Sequence, residues 1–79
     1  MTSPDPLAAA FGTHRGVVRR YDDAVGAGTL ADDATGVRWS FHCTRIADGS
    51  RTIAPGTPVT FLVAPGPVGL EAVEVAAGP

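Results

Sequence analysis

A single cysteine, Cys43, stands in 79 residues. That excludes an intramolecular disulfide and a zinc site built on cysteines. No apolar run reaches the ~18 residues of a membrane-crossing helix, so no membrane span is expected. The apolar patch at residues 7–11 has no basic segment before it and is shorter than a signal-peptide core; the expectation is a cytoplasmic protein. Lysine, asparagine and glutamine are absent, and all six basic residues are arginine. The formal net charge is −2 and the pI is near 5.4. A dedicated binder of duplex nucleic acid carries a basic surface, because phosphate neutralisation supplies most of its affinity. This chain has no such excess overall, although Arg15, Arg19 and Arg20 lie close together.

What is present is a foldable composition, 44% hydrophobic and 18% charged, which argues against disorder along the whole length. The length suits one domain of modest stability, since a domain of this size buries only ~60% of the surface its unfolded chain exposes. Ten glycines and seven prolines interrupt the sequence too often for long helices. They suit short strands joined by tight turns.

Residues 1–14 read as a short flexible arm, because Pro4 and Pro6 prevent a regular start. Five segments with strand character follow, at residues 15–21, 26–32, 37–43, 57–64 and 68–75. In the third, Val37, Trp39 and Phe41 alternate with Arg38, Ser40 and His42; in the fourth, Val59, Phe61 and Val63 share one side. The long connection at residues 44–56 carries the turn-forming pairs Asp48-Gly49 and Pro55-Gly56. Residues 76–79 read as a tail. The expected fold is therefore all-β: a small five-stranded antiparallel barrel over residues 15–75, whose closure protects the sheet edges. Its inward set is Val18, Leu30, Trp39, Phe41, Ile46, Ile53, Val59, Phe61, Val63, Val73 and Val75.

Other constellations carry less. Gly26-x-Gly28-x-x-Ala31 matches a dinucleotide-binding fingerprint in form, but that chemistry needs a helix after it inside a βαβ unit, and none is predicted. His42 and Cys43 are neighbours in a predicted strand, so they are expected on opposite faces and not on one metal ion. The pairs Asp22-Asp23 and Asp32-Asp33 fit solvated turns. No nucleophile–base–orienter set is visible, so no enzyme activity, metal or cofactor is expected.

The run Gly16-Val17-Val18-Arg19-Arg20-Tyr21 resembles the first strand of cold-shock domains. Gly26-Ala27-Gly28-Thr29-Leu30 sits where that family has its second-strand motif, and Phe41-His42-Cys43-Thr44-Arg45-Ile46 where it has its third. Pro55-Gly56-Thr57-Pro58-Val59-Thr60-Phe61 resembles the entry into strand four, and residues 61–75 match without a gap. The resemblance covers residues 15–75 and implies an OB-type barrel of the bacterial kind, one that binds single-stranded RNA or DNA by stacking bases on aromatic side chains. Arg20, Ala27, Thr29, Ser40 and Cys43 stand where the family carries rings. What remains at the platform positions is Arg19, Arg20, Tyr21 and His42, and Arg38 is expected beside His42. Those five residues are the expected nucleic-acid site, with weak and salt-sensitive binding. The alternative is a protein-interaction or dimerisation module on the same barrel.

Overall fold

The alternating segments become strands in the computed structural model, which describes residues 12–78. They are β1 (His14–Asp22), β2 (Ala27–Asp32), β3 (Arg38–His42), β4 (Pro58–Gly66) and β5 (Gly69–Ala77), with one 3₁₀ turn at Cys43–Arg45. All neighbours pair antiparallel in the order β3-β2-β1-β4-β5. The sheet curls until its two ends meet. Ile46 bridges Val75 in parallel fashion, and the Ala47 amide donates to the Val75 carbonyl at 2.8 Å. The result is the expected small five-stranded barrel. Strand β1 opens at His14, inside the region read as an arm, and β5 runs to Ala77; residues 1–11 of that arm lie outside the described residues.

β1 is long enough to be shared. Its first half pairs with β4 and its second with β2, and Gly16 belongs to both ladders. A Cβ at Gly16 would run into the Ala31 carbonyl oxygen, so only glycine lets the two ladders meet there.

The core is Val18, Leu30, Phe41, Ile46, Ile53, Val59, Phe61, Val63, Ala72 and Val75, with Tyr21 and Trp39 packed against it. One expected member is displaced: Val73 is half-buried and Ala72 is fully buried instead. A bulge explains it. Leu62 pairs with Val73 and Thr60 with Ala76, so Glu74 and Val75 together oppose Phe61, and Glu74 sits at φ 49°. The extra residue resets the alternation, and Ala72 and Val75, three apart, both face inward. Val37 also departs from its expected phase: it precedes β3 and is exposed.

Candidate nucleic-acid interface

The outer face of β1, β2 and β3 follows from register. Arg20, Thr29 and Ser40 form one cross-strand row; Asp22, Ala27 and His42 form the next, and Val17, Ala31 and Arg38 a third. The intervening rows, Val18-Leu30-Trp39 and Tyr21-Gly28-Phe41, face the core. A second bulge sits in β1, where the register passes from Val18–Leu30 to Arg20–Thr29. It leaves Arg19 and Arg20 both opposite Thr29, and both are exposed. Arg19, Arg20, Arg38 and His42 therefore share a face with two hydroxyl residues between them.

Tyr21 does not join that face. Its ring is half-buried and stacks on Phe41, with centroids 6.0 Å apart and planes at 18°. Its hydroxyl donates to the Arg51 carbonyl at 2.5 Å. Partial burial, with the nearby Cys43 and Asp23 charges, raises the phenol above its ordinary value, which keeps the proton on the donor. Tyr21 nevertheless lines the groove beside Arg20. The row it occupies is tight: a Cβ on Gly28 would strike the Arg20 carbonyl oxygen and stand 2.9 Å from the Phe41 ring.

The groove is shallow and open, about 810 Å³, with Gly28, Thr29 and Ser40 as floor and Arg20, Tyr21 and the Asp22–Ala24 turn as walls. That volume suits a small ligand. The turn is well held. The Asp22 carboxylate accepts from the amides of Ala24 and Val25 at 2.9 and 3.2 Å. Asp23 accepts from the Thr52 hydroxyl at 2.9 Å, fastening the turn to the long loop. Both carboxylates thus have donors within the protein. The Thr29 Oγ1 atom is different: it is buried and has no hydrogen-bond partner among the described residues.

His42 is oriented by its neighbours. Its Nδ1 accepts from the Thr44 amide at 3.3 Å and lies 2.9 Å from the Thr44 hydroxyl. An amide can only donate, so the neutral ring carries its proton on Nε2. Cys43 is not on the opposite face as expected. β3 ends at His42, and the 3₁₀ turn swings the Cys43 sulfur to 3.8 Å from His42 Nδ1. Among the described residues no group of three His, Cys, Asp or Glu side chains is placed to hold a metal ion.

A second hollow adjoins the first beyond His42, between β3 and the β4–β5 hairpin. His42, Arg45, Pro67, Val68 and Glu71 line it, and Arg45 Nε lies 3.6 Å from Glu71 Oε1. Val68 and Leu70 are exposed on that hairpin. Sequence reading missed these residues because their proximity to β3 comes from barrel closure; the Pro65-Gly66-Pro67 break was the only local sign.

Asp32, expected in a solvated turn, is buried. One carboxylate oxygen meets His14 Nδ1 at 2.8 Å, while the other accepts from the Ala34 and Thr35 amides at 2.8 and 3.3 Å. His14 in turn stacks on Phe61, with centroids 5.2 Å apart. Burial alone would raise the Asp32 carboxyl, but the bonds from His14, Ala34 and Thr35 and the His14 charge outweigh it and hold the group below its ordinary value.

No family model matches the sequence, and no curated protein does. Among solved structures, the barrel is similar to that of Drosophila Unr CSD456, a cold-shock domain structure, with a TM-score of 0.71 at 25% sequence identity over 92% of this chain. The fold is a cold-shock-domain OB fold. The chain spans 29% of the length of that Unr chain. Architectures of this kind serve as oligonucleotide-binding modules, using the exposed face of strands two and three.

Proposed function

We propose that this cold-shock-like domain is a non-catalytic module that binds single-stranded RNA or DNA weakly, through Arg19, Arg20, Arg38 and His42 on the outer face, with Tyr21 forming one wall. The observation that carries the reading is the register of β1, β2 and β3, which gathers three arginines and an oriented imidazole on one side of an OB barrel. Stacking on an aromatic ring contributes ~1–3 kcal/mol per base. Among the described residues His42 is the one ring turned to this face, so the affinity lost with the family's other rings amounts to several decades. Guanidinium planes replace part of it, because arginine stacks on bases as well as pairing with phosphate.

The test is a fluorescence titration of labelled oligothymidine and oligouridine heptamers at two or more salt concentrations. Binding in the micromolar to millimolar range is expected, weakening with salt by ~0.7 in log–log slope for each phosphate contact. The Arg19→Ala, Arg20→Ala double variant is expected to flatten the slope by ~0.7 if Arg19 alone meets a phosphate and by ~1.4 if both arginines do. No binding at millimolar protein, or binding indifferent to salt, would refute the proposal. The exposed Val68 and Leu70 favour a second reading, a protein-interaction or dimerisation module. Sedimentation equilibrium tests self-association directly, and a monomer at all concentrations counts against a homodimer.

A further inference from the structure

We infer that the groove beside Arg20 reads one nucleobase by its hydrogen-bonding edge, against the hydroxyls of Thr29 and Ser40, rather than by its stacking face. The inference rests on the nucleic-acid reading above and specifies how the base is recognised. Thr29 and Ser40 are direct partners across β2 and β3, and both line the groove. Opposed residues of antiparallel strands hold their Cβ atoms ~4.5–5.5 Å apart on one face. Each hydroxyl both donates and accepts, so the pair answers a donor and an acceptor side by side on a base edge.

The unpaired Thr29 oxygen is the sharper observation. Buried polar atoms almost always find a partner, and one that lacks it in the free protein gains most when a ligand supplies it. Because Thr29 lines the groove, a single χ1 step of about 120° takes the hydroxyl out of its buried position and turns the oxygen toward a ligand. The floor itself offers no ring: Gly28, Thr29 and Ser40 are small. A base lying flat there gains little, whereas a base standing on edge sets its face against the Arg20 guanidinium. Arg19, displaced to the same side by the bulge, is placed for the adjoining phosphate. Edge reading makes the site selective among bases, where stacking alone is tolerant.

Wild type, Thr29→Val and Ser40→Ala are each titrated at low salt with oligothymidine, oligocytidine and oligoadenosine heptamers. Wild type is expected to rank the three. Thr29→Val is expected to weaken the best ligand by about tenfold and the others less, flattening the ranking. Ser40→Ala should act in the same direction. Thr29→Val keeps the side-chain shape and removes only an unpaired hydroxyl, so its melting temperature should equal or exceed that of wild type. If both variants keep the wild-type ranking, or weaken all three ligands equally, edge reading is overturned while nucleic-acid binding stands. If wild type binds none of the heptamers, the binding reading falls and this one with it.

Discussion

Replacing Asp32 tests a buried carboxylate that accepts from three donors. It is 5% exposed, and the donors are the His14 ring at 2.8 Å, the Ala34 amide at 2.8 Å and the Thr35 amide at 3.3 Å. It thereby joins the start of β1, the end of β2 and the turn after it. Hydrogen bonds to a charged group contribute ~1.5–3 kcal/mol each, and the longest of the three counts for less. Asp32→Ala is therefore expected to cost about 3–4 kcal/mol, and Asp32→Asn, which keeps a carbonyl for the turn amides, about 1–2 kcal/mol. In a domain of this size each kcal/mol moves Tm by about 4–8 °C. Because the folded-state carboxyl lies below its ordinary value, the stabilisation is fully present above the unfolded pKa of ~3.9 and is lost as pH falls through the folded value. Urea denaturation followed by Trp39 fluorescence at neutral pH, and at steps below pH ~4, reads both effects. The gap between wild type and Asp32→Asn should close on acidification. A gap independent of pH, or an Asp32→Ala cost under ~0.5 kcal/mol, would show that the buried carboxylate is not what fastens these strands.

Two further changes probe the backbone. Gly28→Ala places a Cβ against the Arg20 carbonyl oxygen and 2.9 Å and 3.0 Å from the Phe41 and Tyr21 rings. Backbone cannot yield as a flexible side chain does, so a loss of about 3 kcal/mol by urea denaturation is expected, and a neutral result refutes the packing argument. Glu74→Gly removes the ~1–2 kcal/mol cost of a non-glycine residue at φ 49°, against ~0.5–1 kcal/mol of added chain entropy in the unfolded state. A net gain of about 0.5 kcal/mol in thermal or urea denaturation is expected, and a loss larger than the entropy cost contradicts strain at the bulge.

What the sequence made legible was everything carried by period two. Val59, Phe61 and Val63 alternate inward as read, and Trp39 lies against the core although it is only half-buried. The errors fall where one residue is inserted into the count. At Glu74 the bulge moves the inward position from Val73 to Ala72. At Arg19 another bulge separates residues that adjacency had grouped: Arg19 and Arg20 stay on the outer face, while Tyr21 turns inward onto Phe41. Neither bulge has a glycine to announce it. Asp32 shows a different limit. Asp-Asp-Ala-Thr has the composition of a solvated turn, and it is the strand pairing that brings His14, 18 residues earlier, within hydrogen-bond reach.

Strand parity then separates stability from recognition at single-residue resolution. Inner-row residues meet the opposite wall of the barrel, and their side chains fill a fixed volume. Outer-row residues meet solvent or ligand, so Ala27, Thr29 and Ser40 can stand without rings while the core keeps its packing. Gly28 and Thr29 are consecutive, yet substitution at the first is expected to disturb the barrel and at the second to spare it. The unpaired Thr29 hydroxyl adds direction to that contrast, because a buried atom with no partner among the described residues, on a residue that lines the groove beside Arg20, has its partner to gain from outside the protein. A variant that folds at least as firmly as wild type and binds less selectively is the combination that distinguishes a recognition residue from a structural one.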